Sequence, residues 1–200
     1  MHFFPNEFFH VYNRGNNKRP IFLNEDNYLL FTNKIKEQLV PYSSIIAYCL
    51  MPNHFHLMLE PKEEGLIIRN AYGGKPLQEL AYRVGIMLSS YTQSVNYKNK
   101  KIGSLFQQKT KAKPLFENNN GSRISYFEQC FHYIHCNPLA AGLVKKAEDW
   151  THSSYPFYIG LEDKSFCNKN LFYNITGMTA ADIQLRMKER IDEKMVMNLF

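Results

Sequence analysis

The four cysteines, Cys49, Cys130, Cys136 and Cys167, form no C-x-x-C pair and show no zinc-ribbon spacing. Three of them fall in segments that read as strand or helix, so buried free thiols in a reducing compartment are expected. The sequence also lacks any apolar stretch of about 18 residues that could span a bilayer. It has no charged-then-apolar leader, and the expected location is cytoplasmic. No internal repeat, low-complexity tract or collagen-like bias is present, which excludes solenoid and fibrous classes.

Two hundred residues suit one domain with an extension, and 44% hydrophobic residues suffice for a real core. The net charge is +6 and 14% of residues are aromatic. Cations meet phosphates and rings stack on unpaired bases, so this balance suits a nucleic-acid partner. A mildly basic soluble protein has the same composition, and charge alone does not decide between them.

Aromatic and β-branched residues from Glu7 to Arg14 predict a first strand, broken by Gly15-Asn16-Asn17. Asn24-Glu25-Asp26 predicts a helix cap, followed by the stripe Tyr28, Leu29, Phe31, Ile35 and Leu39 and closed by Pro41. Strands are expected over Ser44 to Leu50 and His54 to Glu60, joined by a Pro52-Asn53 turn. Gly65 to Lys75 reads mostly as loop. Pro76 is expected to open a long helix to about Tyr97, with Leu77, Leu80, Val84, Met87, Leu88 and Tyr91 inward.

Gly103 to Phe116 alternates basic with small or polar residues and predicts a strand with a cationic face. After a Glu117 to Gly121 loop, Ser122 should cap a helix that Asn137-Pro138 ends near Cys136. Beyond Gly160 the composition shifts, and a charged helix is expected from about Ala180 to Asn198. The order β-α-β-β-α-β predicts an α+β fold: a ferredoxin-like antiparallel sheet with helices on one face, plus a C-terminal helical extension. Residues 1–159 then form the main domain and 160–200 an appendage outside its core.

Met51-Pro52-Asn53-His54-Phe55-His56-Leu57-Met58-Leu59 is the most informative stretch. On a strand His54 and His56 point to one face while Phe55 packs behind it. Two neutral imidazoles side by side can serve one divalent metal, although sheet histidines more often only hydrogen-bond. In Phe131-His132-Tyr133-Ile134-His135-Cys136-Asn137-Pro138, Tyr133 and Asn137 lie one helical turn apart. A tyrosine hydroxyl beside a metal can attack a phosphodiester in line. Spacing does not select Tyr133 among the 13 tyrosines, and Tyr126 on the same helix is its rival. His132, His135 and Cys136 imitate a zinc corner but have no second pair to complete it.

Asn13-Arg14-Gly15, Ala47 through His56, Gly103-Ser104-Leu105-Phe106-Gln107 and Tyr133 through Pro138 together resemble the IS200-like Y1 transposases, closest to their REP-associated tyrosine transposase branch. Ala141 through Val144 and Asp149 through Tyr155 resemble the same branch, and the likeness covers roughly residues 7 to 158. It implies an HUH-class endonuclease and strand transferase acting on hairpin-bearing single-stranded DNA. His54 and His56 match the metal pair and Asn137 the third metal contact, with Mg²⁺ or Mn²⁺ as the ion. Tyr133 matches the nucleophile, which forms a 5′-phosphotyrosine and frees a 3′-OH. The resemblance leaves open whether the tyrosine helix serves its own subunit or a homodimer partner, and it assigns no role to residues 160–200.

Lys98, Lys100, Lys101, Lys109, Lys111 and Lys113 form the candidate DNA track, with Arg14 a further candidate. Two other readings compete. A non-catalytic DNA or RNA hairpin-binding module would need neither His-x-His nor Tyr-x-x-x-Asn. A replication or conjugation initiator of this class is disfavoured by the short chain without a helicase domain.

Overall fold

Strict alternation fixes the first strand, β1 (Phe9–Arg14): Phe9 and Val11 are buried on one face and His10 on the other. The structure, a computed structural model, describes residues 1–70, 75–115 and 123–188, the side chains of 123–125 excepted. Gly15 follows β1 where a Cβ would stand 2.0 Å from the Arg19 carbonyl oxygen, so only glycine lets the chain fold back there.

Helix α1 (Glu25–Gln38) starts as expected, with the Asn24 side chain accepting from the Asn27 N–H and two acids in the first turn. It buries Tyr28, Phe31 and Ile35. Leu29, expected in that stripe, is 62% exposed; it lies one residue, or 100°, round the helix from Tyr28. The hairpin β2 (Ser43–Met51) and β3 (His54–Pro61) follows, antiparallel about the Pro52-Asn53 turn.

The segment expected as loop instead carries a short helix, α2 (Glu63–Leu66), and a two-stranded ribbon, β4 (Ile68–Asn70) with β5 (Pro76–Gln78). Residues 71–74 of that expected loop lie outside the described ones. Pro76 therefore opens a strand, a position where its missing N–H is tolerated. The Gln78 side chain holds the ribbon down by accepting from the Phe3 N–H at 2.7 Å and donating to the Phe3 carbonyl at 2.8 Å. Helix α3 (Glu79–Lys98) starts three residues later than expected and buries Leu80, Val84, Met87 and Tyr91.

Of the strand expected over Gly103 to Phe116, only β6 (Lys111–Pro114) pairs with β1, besides a lone Gly15–Phe106 bridge. Gly103 has φ +94°; past the bridge, the Gln107 N–H bonds the Arg14 carbonyl and the Asn13 side chain holds Gln107 and Thr110. Phe116, the Glu117 to Gly121 loop and the Ser122 cap lie outside the described residues. Helix α4 (Arg123–Ala140) does not stop at Cys136 but runs through Asn137-Pro138. So close to the helix end, proline removes only one intrahelical bond. Termination comes at Gly142, with φ +67° and the Leu143 N–H bonded back to the Pro138 carbonyl.

Among the described residues three short helices follow: α5 (Tyr155–Tyr158), α6 (Lys169–Thr176) and α7 (Ala180–Arg186). A Thr179/Asp182 capping box starts α7 at the expected place. Residues 189–198 of the expected charged helix lie outside the described ones. The segment read as an appendage puts Cys167, Phe172, Met178 and Ile183 into the same buried cluster as the sheet. Phe172 stacks on Phe131 of α4 with centroids 4.0 Å apart.

The main sheet has the order β2-β3-β1-β6, all neighbours antiparallel, which is the ferredoxin-like arrangement. The crossover helices α1 and α3 share one face, where Phe31 meets Phe55 at 5.1 Å and Tyr91 at 4.9 Å. The opposite face, carrying His10 and His56, is covered by α4. All four cysteines are free and buried. Among the described residues no helix is long and apolar enough to cross a membrane.

Candidate active site

Alternation along β3 sends His54 and His56 to the α4 side of the sheet, while Phe55 packs on the other side against Phe31 and Phe106. The two imidazole centroids are 4.9 Å apart with the rings nearly perpendicular. His54 Nδ1 bonds the Asn53 side-chain oxygen at 2.6 Å, and His56 Nδ1 bonds His10 Nε2 at 2.8 Å. The His54 pKa is pushed down to about 4, by burial first and then by the nearby Arg14, with an interaction with Asn137 opposing the shift. His56 is held well below its ordinary value by burial first, then by His10 and His54. Both rings are therefore neutral at pH 7, the form that ligates metals.

Helix α4 lays Tyr133 across this pair. Its ring stands edge-on to His56, centroids 5.5 Å apart. Asn137 follows one turn later and interacts with the side chains of both His54 and Tyr133. Burial raises the Tyr133 pKa and the Asn137 contact lowers it, with burial dominant, so the resting group is a phenol. Tyr126, the rival tyrosine, does not line this pocket.

The pocket has a volume of about 410 Å³ and gathers His54, His56, Tyr133 and Asn137 with Arg14, Lys109 and Lys111. A larger groove of about 930 Å³ adjoins it, sharing Asn13, Gln107, Lys109 and Lys111. Uncharged α3 residues, Gly85, Ser89, Thr92, Gln93 and Asn96, line the rest of its helical side. The candidate DNA track is thus split. Lys113 sits on β6 opposite His10, its pKa lowered by partial burial and by Lys111. Lys98 reaches Asp26 at 3.7 Å, and it lines neither cavity; nor do Lys100 and Lys101 just beyond α3.

The donor set fits a divalent cation. Two neutral imidazoles and the amide oxygen of Asn137 supply up to three positions, and phosphate oxygens can take the rest. Among the described residues no group of three His, Cys, Asp or Glu side chains gathers as an alternative centre. His135, in the imitation zinc corner, is buried with Nε2 bonded to Ser154 Oγ at 2.8 Å.

Sequence reasoning gave no role to His10, Tyr12, Asn13 or Gln107. Tyr12 stacks on His10 with centroids 4.6 Å apart. Asn13 Nδ2 donates to the Gln107 carbonyl at 3.1 Å and to Thr110 Oγ1 at 2.9 Å, holding the lysine-bearing segment against β1. The signal was present in the alternation of β1, which places His10 and Tyr12 on the histidine face once the register is known.

No family model matches the chain, and no curated protein matches it. Among solved structures, one of a REP-associated tyrosine transposase bound to a REP hairpin aligns with 83% of this chain and 87% of that one. The TM-score is 0.59 and the sequence identity 15%. This chain is similar to that transposase in fold.

Proposed function

We propose that this chain is a metal-dependent, hairpin-directed single-strand DNA endonuclease and strand transferase that works through Tyr133. The observation that carries the reading is the convergence of His54, His56, Tyr133 and Asn137 on one pocket rimmed by Arg14, Lys109 and Lys111. The fold shared with a hairpin-bound transposase supports it.

Tyr133 Oη attacks the phosphorus of the scissile phosphodiester, and the bond from phosphorus to the 3′-oxygen breaks. The product is a 5′-phosphotyrosine; the proton lost by the phenol is balanced by the one gained at the freed 3′-OH. One ester replaces another, so the strand can be resealed by the reverse attack. Mg²⁺ or Mn²⁺ held by His54, His56 and Asn137 would withdraw charge from the phosphate oxygens. Arg14, Lys109 and Lys111 neutralise the phosphate and favour the ionised phenol over the resting one. Bases of the single strand lie along the uncharged α3 side of the adjoining groove. The approach of Tyr133 to His56 within one chain supports a site complete in a single subunit.

The test is incubation with labelled hairpin DNA bearing single-stranded flanks and Mn²⁺ or Mg²⁺, followed by denaturing electrophoresis. A protein–DNA adduct is expected, absent in Tyr133→Phe while hairpin binding persists. Hairpin binding without any adduct would instead identify a non-catalytic binding module.

A further inference from the structure

We propose that His10 is the positioning residue of this site: it fixes the tautomer of His56 and thereby which ring nitrogen that side chain offers to a cation. The inference rests on the reading of His54 and His56 as a cation-binding pair.

The bond between His10 Nε2 and His56 Nδ1, 2.8 Å long, contains one proton, so one ring donates and the other accepts. If His56 donates from Nδ1, its Nε2 keeps a lone pair for a metal. If His10 donates, the His56 proton sits on Nε2 and blocks ligation. The neighbouring ligand shows which arrangement the site is built for. His54 Nδ1 meets Asn53 Oδ1 at 2.6 Å, and the Asn53 amide is oriented by its Nδ2 donating to the Lys18 carbonyl at 3.2 Å. An amide oxygen only accepts, so His54 carries its proton on Nδ1 and presents Nε2. His10 does for His56 what Asn53 does for His54.

The surroundings of His10 hold its ring in place. It is wholly buried on β1, beneath α4. Tyr12 stacks on one side of its ring, and Tyr133 stands edge-on to it with centroids 6.3 Å apart. That packing fixes the direction of Nε2, which is what an orienting partner requires.

The test compares wild type, His10→Gln and His10→Leu, each checked for an unchanged fold by circular dichroism. In metal-free wild type, ¹⁵N-histidine NMR is expected to show His56 protonated at Nδ1 and bare at Nε2. In His10→Leu that signature gives way to a tautomer mixture, and Mn²⁺ affinity measured by electron paramagnetic resonance falls about 10- to 100-fold. His10→Gln, whose carbonyl can accept where Nε2 did, is expected to restore both readouts. Should His10→Leu fail to fold, the wild-type spectrum and His10→Gln still decide. A wild-type His56 protonated at Nε2, or full Mn²⁺ affinity in a folded His10→Leu, overturns the proposal. Wild type that takes up no Mn²⁺ overturns the cation reading and the affinity consequence with it, while the metal-free spectrum separately reports what His10 does to His56.

Discussion

Asn137 sits one helical turn beyond Tyr133, and its Nδ2 donates to the Tyr133 carbonyl at 2.8 Å. The bond anchors the amide by its nitrogen. Since the same side chain also interacts with His54, Asn137 joins helix α4 to the histidine strand.

Asn137→Ala should leave α4 intact, because alanine is the stronger helix former. We predict that adduct formation falls at least ~10-fold through weaker cation binding, while hairpin affinity is kept. Unchanged adduct rates at limiting Mn²⁺ would show that Asn137 serves only its own helix, through the Tyr133 carbonyl.

The donor set has no carboxylate, and Mg²⁺ sheds water reluctantly for nitrogen ligands. We therefore expect Mn²⁺ to support adduct formation at lower concentration than Mg²⁺, and EDTA to abolish it. His54→Ala should eliminate cleavage at every metal concentration. Cleavage by that variant, restored by added metal, would sink the ligand assignment.

Ser89 faces the groove beside the pocket, so Ser89→Trp should obstruct a single strand there without touching the site. The expected result is ~10-fold weaker binding of hairpins with single-stranded flanks, comparable to losing one stacked base, and no change for bare hairpins. Lys109→Ala and Lys111→Ala should each reduce the salt slope of binding by about 1. Lys98→Ala, whose charge already faces Asp26, should change it less. Equal slopes for all three lysines would redraw the strand's path.

His132 is buried on α4, with its pKa pushed down to about 4 by burial and by Arg186 of α7. In the unfolded chain it returns to 6.5, so between these values the unfolded state binds a proton that the folded state refuses. The stability contributed by the neutral ring is complete above about 6.5 and is lost as pH falls toward about 4. Urea midpoints should decline across this window, and His132→Leu should flatten the decline. An identical slope in that variant would place the acid lability elsewhere.

The elements carrying strong periodicity were legible: β1, α1, the histidine hairpin and the inward face of α3 lie close to where the residues put them. So was the shared face of His54 and His56, because strand alternation is a local rule. What the sequence concealed depends on distant partners. Pro76 reads as a helix start until Gln78 is seen clasping Phe3. Asn137-Pro138 reads as a stop until Gly142 supplies the real one. His10 looks like any strand residue until the β1–β3 register brings it to His56. The lysines looked like one track because they are near in sequence, yet only the 109–111 pair is folded over the pocket.

The outer flank of β2 is closed by residues laid down much later. Leu50 N–H bonds the His152 carbonyl, Ser154 N–H the Tyr48 carbonyl, and Asn168 N–H the Ile45 carbonyl. During synthesis the hairpin must therefore wait about ninety residues, from Pro61 to His152, for its cover. At translation rates of about 5–20 residues per second, that exposes an apolar, unpaired strand edge for about 5–20 s. The β2 edge is thus born early and sheltered late, and ribosome-stalled chains ending before His152 should be aggregation-prone where the full chain is not.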